Sequence, residues 1–374
     1  MKRKTRPPVK QDAIIEFLRE SILEGSLKSG DRFPTRSEIE QRFEASSATV
    51  QRAFDRLVED GFVSVRGKDG TYVAENLPHL SRYGIAFPKT FALEGWSQFY
   101  TAMMAAAHMI EGEGTSRLPC YMGVDGGSHG EGYRTLVRDV CAHRVAGIIF
   151  PGRPCFEEHY PLRPRPGLPW ALLMSSPPLL PEAIAVDLGG VAGFLDRALE
   201  YLASRGRRRI ALIAVAGFEA ERLEHFGNRL PAFGMTTNPY WHQAVDPAIP
   251  KWADNVAHLM FHEGHRERPD GLIVTDDNLV EHASAGLIQA RVSVPGDVEV
   301  VAHCNFPTPT PSVLPVVRLG YDIREALRTC MTLIDRQNRR ETVSEYTVIP
   351  PVFEWEVPSP GPPMFRAKGR PGFV

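Results

Sequence analysis

The chain has 374 residues, 43% of them hydrophobic and 24% charged, and its 43 Lys and Arg against 45 Asp and Glu leave a formal net charge of −2. That length predicts two or three units rather than one core, and the even charge balance excludes nucleic-acid binding by bulk electrostatics, so any DNA surface has to be local. No stretch approaches the roughly 20 apolar residues of a membrane span, and no apolar run follows the basic residues 2–6 as a secretory leader requires.

The five cysteines (Cys120, Cys141, Cys155, Cys304, Cys330) lack CxxC spacing, which argues against a zinc site or a disulfide scaffold and fits free thiols in a reducing cytoplasm. Along the chain, residues 10–24 place Ile14, Ile15, Phe17, Leu18, Ile22 and Leu23 at helical spacing with one buried face. Gly25 and Gly30-Asp31 end that helix. Thr35-Arg36-Ser37-Glu38 has the form of a capping box and predicts a short helix through Ile39 and Phe43. Ser46 or Ser47 can cap a third helix, with Val50, Ala53, Phe54 and Leu57 inward. Residues 62–66, the turn Gly67-Lys68-Asp69-Gly70 and Thr71-Tyr72-Val73 predict a β-hairpin. Residues 74–81 are polar, contain Pro78 and lack periodicity, which reads as a linker.

From Arg82 onward short apolar runs alternate with amphipathic stretches. Strands are predicted at 83–87, 120–124, 147–150, 170–174, 183–187, 210–215, 271–275, 298–303 and 316–319. Helices are predicted near 95–112, 130–143, 189–205, 221–233, 251–263, 277–290 and 322–337. Such alternation means βαβ units, hence parallel sheets with helices on both faces, and its length calls for two similar lobes. The Pro/Gly-rich residues 358–374 read as a disordered tail. The expected division is 1–73, a linker at 74–81, two lobes within 82–357, and the tail.

Several motifs then carry resemblances. The run from Gly25-Ser26-Leu27 through Gly30-Asp31-Arg32-Phe33-Pro34-Thr35, with Ser46-Ser47-Ala48-Thr49-Val50-Gln51-Arg52, Asp60-Gly61-Phe62 and Gly70-Thr71-Tyr72-Val73, resembles the GntR-family winged helix-turn-helix over residues 10–75. The resemblance implies a double-stranded DNA operator as partner, read by the start of the third helix and by the wing. The residues it points to are Thr35, Arg36, Ser46, Ser47, Thr49, Gln51, Arg52, Arg56, Arg66, Lys68, Gly70 and Thr71. Gln51 has the chemistry to read adenine, and the small hydroxyls allow close approach. The family's usual Ser-Arg-x-Thr-Val-Arg is Ser46-Ser47-Ala48-Thr49-Val50-Gln51 here, and the arginine usual in the first turn of the second helix is Ser37, with Arg36 one place earlier, so the operator sequence does not carry over.

Arg144-Val145-Ala146-Gly147-Ile148-Ile149-Phe150, Arg207-Arg208-Arg209-Ile210-Ala211, Arg268-Pro269-Asp270-Gly271 with Asp276-Asp277-Asn278, and Val294-Pro295-Gly296-Asp297-Val298 resemble, in order, the effector domain of LacI-type repressors, whose fold is that of periplasmic sugar-binding proteins. That resemblance implies an α/β, two-lobed domain binding a small molecule, sugar or sugar derivative first, between the lobes. It points to Phe91, Trp96, Arg222, Asp277 and Asn305 as ligand contacts. Cys304 stands where the family has a hydroxyl-binding Asp, which suggests a ligand with fewer hydroxyls on that edge. The expected protein is a cytoplasmic homodimeric transcription regulator, repressor first, with no cofactor or metal. Two alternatives stay open: a small-molecule binding protein without DNA affinity, and an enzyme using the same cleft. His262-Glu263-Gly264-His265 is one residue short of the HExxH metal motif, and no P-loop, GxSxG or GxGxxG is present.

Overall fold

Burial of one helical stripe organises the N-terminus. In the computed structural model, which describes residues 10–89, 96–124, 130–152, 154, 167–175, 183–189, 193–216, 220–246 and 248–358, α1 spans Lys10–Leu23 and turns Ile14, Ile15, Leu18 and Ile22 inward. α2 (Arg36–Phe43) starts at Thr35, whose side chain accepts from the Glu38 N–H while Glu38 accepts from the Thr35 N–H at 2.7 Å. α3 (Ser47–Glu59) is capped by Ser46. β1 (Val63–Val65) and β2 (Thr71–Val73) form an antiparallel hairpin, extended by Phe33 donating to the Thr71 carbonyl and Val73 to the Asp31 carbonyl. Leu18, Ile39, Val50, Phe54, Leu57, Phe62 and Val73 share one core, with Phe33 edge-on to Phe54 at 5.2 Å.

The segment expected to be a linker carries a short helix, α4 (Pro78–Ser81). Leu77 joins the N-terminal core, and the His79 ring stacks on Phe62 at 5.9 Å. Three hydrophobic side chains among eight residues, Ala74, Leu77 and Leu80, are too few to show periodicity, which is why composition alone reads as linker.

The chain then builds two units. The first continues with β3 (Tyr83–Phe87), α5 (Gln98–Glu113), β4 (Cys120–Met122), α6 (Glu131–Cys141), β5 (Gly147–Phe150), β6 (Trp170–Met174) and β7 (Ala183–Leu188). The second holds α7 (Gly193–Ser204), β8 (Ile210–Val215), α8 (Ala220–Arg229), β9 (His242–Val245), α9 (Trp252–Phe261), β10 (Gly271–Val274), α10 (Asp277–Gln289), β11 (Glu299–Phe306) and β12 (Val317–Asp322). α11 (Ile323–Asn338) and β13 (Tyr346–Ile349) return to the first unit, and β14 (Val352–Phe353) completes the second.

The first sheet runs β13-β7-β6-β5-β3-β4, all parallel. The second runs β14-β12-β11-β10-β8-β9, parallel except for β14. Strands β3, β5, β7 and β10 are buried along their whole length, as expected of parallel strands covered on both faces. In each sheet the direction of connection reverses once, between β3 and β5 and between β8 and β10. A crevice at the carboxyl ends of the strands opens at such switch points, and this positions the candidate ligand residues. Among the described residues no helix is long and apolar enough to cross a membrane.

Candidate functional site

Two separate surfaces carry the candidate residues. On the first, the start of α3 leaves Ser46, Ser47 and Arg52 exposed. Ser46 Oγ accepts from the Thr49 N–H at 3.3 Å and shares a 2.9 Å hydrogen bond with Thr49 Oγ1, so this hydroxyl acts as the helix cap. Gln51 Nε2 donates to Asp55 at 2.7 Å. Thr35 is engaged in the capping box of α2, and the exposed Arg36 lies over the Phe54 ring at 5.7 Å.

The wing turns through Gly67–Asp69, closed by Arg66 N–H donating to the Gly70 carbonyl. Gly70 has φ +112, which a side chain would strain. Arg66 covers the Tyr72 ring at 4.6 Å and pairs with Glu75 at 3.0 Å, and Lys68 is exposed at the tip beside the half-buried Thr71. The structure therefore brings together an exposed helix start and a short basic wing.

Arg56 is committed elsewhere. It pairs with Glu59 at 3.1 Å and with the buried Asp60 at 3.2 Å, at the opposite end of α3. The Arg56/Asp60 spacing of four residues was the sequence signal for this role.

The second surface lies in the second unit, at the carboxyl ends of β10 and β11. Asp276 caps α10, accepting from the Asn278 N–H at 2.9 Å. Asp277 is thereby placed inside the first turn, 2% exposed, where its carboxylate accepts from Asn305 Nδ2 at 2.8 Å. Burial, with the Asp276 charge beside it, pushes the Asp277 carboxyl up to about 7 against the pull of the Asn305 hydrogen bond. His303 is held down at about 4, chiefly by burial; Arg222 adds to this and Asp276 opposes it.

The His303 ring lies 5.5 Å from Phe194 and 5.7 Å from Tyr321. Thr275 Oγ1 and His303 Nδ1 are buried with no hydrogen-bond partner among the described residues. Buried polar atoms of this kind normally have partners, so they mark where a polar ligand would satisfy the site. Alternation along β11 puts His303 and Asn305 on one side, a signal that would have added His303 to the candidates.

Trp96 lies in the first unit. Its Nε1 donates to Thr101 Oγ1 at 2.9 Å, and its ring meets Tyr100 at 5.3 Å and Phe87 at 5.6 Å. Phe91 and the tail from 359 lie outside the described residues. His262 and His265 bond to backbone, through the Gly264 N–H at 3.1 Å and the Leu259 carbonyl at 2.8 Å. No cluster of metal-ligating residues occurs among the described residues.

Comparison with known proteins gives both parts a class. Residues 10–73 match the bacterial regulatory proteins of the gntR family, and residues 199–355 match the periplasmic binding protein-like domain. The chain joins a GntR-type winged helix-turn-helix to a periplasmic-binding-protein-like α/β fold.

Among its relatives, the mannosyl-D-glycerate transport/metabolism system repressor MngR of Escherichia coli is 40% identical over 62 residues, 17% of this chain and 26% of that protein. The HTH-type transcriptional repressor YtrA of Bacillus subtilis is 32% identical over 65 residues, 17% of this chain and 50% of that one. The chain thus spans half or less of these relatives' length. Among solved structures, a regulatory protein of the LacI family from Chloroflexus aggregans is similar with a TM-score of 0.55 at 18% identity, covering 73% of this chain and 96% of that one. A LacI family transcriptional regulator from Lactobacillus casei with bound sucrose gives 0.52 at 15%, covering 73% and 98%. At these identities the likeness concerns the fold.

Proposed function

We propose that the protein is a transcription regulator, repressor first, that binds an operator in duplex DNA and whose affinity is set by a small polar metabolite, sugar or sugar derivative first. It works in the cytoplasm and is not an enzyme. One observation carries the reading: a single chain holds a folded winged helix with its reading end exposed and, at the carboxyl ends of β10 and β11, a polar cluster of the buried Asp277 and Asn305 with the half-buried Thr275 and His303, within the electrostatic reach of Arg222. Ser46, Ser47, Thr49, Gln51 and the wing residues Gly70 and Thr71 approach the bases and sugar–phosphate backbone, while Arg36, Arg52, Arg66 and Lys68 neutralise phosphates.

The test is a gel shift with DNA from upstream of the protein's own gene, joined to a thermal-shift screen of sugars and small metabolites. The double variant Arg52→Ala, Lys68→Ala should weaken binding to all sequences and flatten the salt dependence of log K by about one unit per lost phosphate contact. Unchanged operator affinity would overturn the reading.

The regulator acts as a homodimer on a palindromic site, because one winged helix reads only a few base pairs. In the second unit, Trp252 and Leu259 stand seven residues apart on α9, hence on one face, and are 56% and 65% exposed. Beside them Tyr240, 81% exposed, and Leu259 border a groove of about 340 Å³ next to the edge strand β9. Leu259→Asp with Trp252→Asp should convert the dimer to monomer in light scattering. A wild-type monomer, free and on DNA, would remove the dimer from the proposal.

A further inference from the structure

Asp60 closes α3, and none of its surface reaches solvent. Three guanidinium groups surround it. Arg19 of α1 lies at 3.2 Å, Arg56 of α3 at 3.2 Å and Arg144 at 3.0 Å. Two of these belong to the winged helix itself. Arg144 does not: it sits in the connection between α6 and β5 of the first unit. Its other terminal nitrogen pairs with Asp139 at 3.3 Å. Asp139 in turn accepts from the Tyr121 hydroxyl at 2.7 Å. Tyr121 stands on β4, its ring so close over Gly84 of β3 that an added Cβ there would meet it at 2.9 Å. A continuous polar path therefore leads from the end of the reading helix to two strands of the sheet.

The apolar part of the same junction is thin. Beyond the His79–Phe62 stack, a cavity of about 210 Å³ lies among Leu23, His79, Val140, His143, Leu168 and Asn338. A junction that is not close-packed gains little specificity from shape. A buried carboxylate shared by charged donors fixes distance and direction together.

We propose that Arg144 is a docking residue: its ion pair with Asp60 fastens the winged helix, by the end of α3 opposite its reading end, to the sheet of the first unit, so that the two turn as one body. The segment 74–81 then serves as part of a rigid joint. Only the consequence of that motion for DNA rests on the function proposed above. A ligand that reorients this sheet would carry the reading helix with it, and no slack in a linker would absorb the movement.

The geometry also supplies a clean test. Without Arg144, Asp60 keeps Arg19 and Arg56, so the winged helix retains its internal pairs, while Asp139 on the sheet side also loses Arg144 and keeps the Tyr121 hydroxyl. Hydrogen exchange of the full chain, without DNA or ligand, should show amides at 57–63 and 79–82 exchanging about tenfold faster or more in Arg144→Met. Protection in β6 and β7, which the Arg144–Asp139–Tyr121 path does not reach, should be unchanged. Arg144→Lys should restore part of the protection. If Arg144→Met fails to fold, Arg144→Gln carries the same test.

Exchange at 57–63 and 79–82 equal to wild type would overturn the proposal, as would a wild-type protein in which those amides are already unprotected. Neither readout involves DNA. A protein that binds no operator would defeat the proposed function and leave the dock standing.

Discussion

Asp277→Asn is expected to melt about 10 °C above the wild-type protein at pH 8 and within a few degrees of it at pH 4. The sign follows from the proton. The Asp277 carboxyl moves from an ordinary 3.8 to about 7 on folding, because burial and Asp276 disfavour its charge. The folded state therefore binds this proton more tightly than the unfolded chain does. The stability it supports is complete below about pH 4 and is lost as pH rises through 7.

At pH 8 the ionised, buried group costs about 4 kcal/mol as an upper bound. That corresponds to about 10 °C for a unit of this size. Asn has nearly the same shape, still accepts from Asn305, and does not titrate. Scanning calorimetry at the two pH values checks the prediction. An equal gain at both, or none at pH 8, would show that Asp277 is not strained by its charge. The same variant should bind the ligand found by thermal shift at least tenfold more weakly, because an ionisable oxygen aimed at donors is lost. A site that destabilises the protein until it is filled is what a sensor requires.

The second large effect belongs to Asp60. Asp60→Ala leaves Arg19, 6% exposed, without its buried partner and with only the exposed Glu16 at 3.3 Å as a carboxylate neighbour among its ion pairs. Removing one member of a buried pair costs about 3–5 kcal/mol. The winged helix is a small domain with a correspondingly small margin, and this loss is enough to unfold it at 37 °C. Operator binding should disappear while ligand binding is retained. Urea titration of the pair Asp60→Leu, Arg19→Met should recover part of the loss, since it removes the most buried stranded charge, while Arg56 keeps Glu59 and Arg144 keeps Asp139. No recovery in that double variant would mean that Asp60 acts through something other than these pairs.

Much of this architecture can be read directly from the chain, for identifiable reasons. Strands β3, β5, β6 and β8 are continuous apolar runs because both faces are covered. Thr35 with Glu38 announces α2 because both cap bonds are local. β9, β13 and β14 escape notice because they lie at sheet edges, where half-exposed residues such as Gln243 and Thr347 break the apolar pattern. β11 runs three residues beyond its apolar stretch because Cys304, Asn305 and Phe306 remain paired with β12.

In the candidate site, Asp277 and Asn305 are named from motif position, and the structure joins them by a hydrogen bond. His303 stays hidden because its importance arises from packing against Phe194 and Tyr321, 109 positions back and 18 on. Arg56 is drawn toward DNA by its motif, yet the partner that claims it, Asp60, becomes decisive only once Arg19 and Arg144 fold around the same carboxylate.

The sheet of the first unit ends in β13, which pairs with β7 after the whole second unit has intervened. On the ribosome, that order has a temporal meaning. The winged-helix core is complete once Leu77 has been made, whereas the sheet to which it is fastened lacks an edge strand until Ile349 has been made. At about 5–20 residues per second, roughly 15–55 s of elongation separate the two events. For that interval the nascent chain carries a finished winged helix and an unfinished sheet of the first unit. A message cut short before residue 346 would make a winged helix permanently without the completed sheet to which it is fastened.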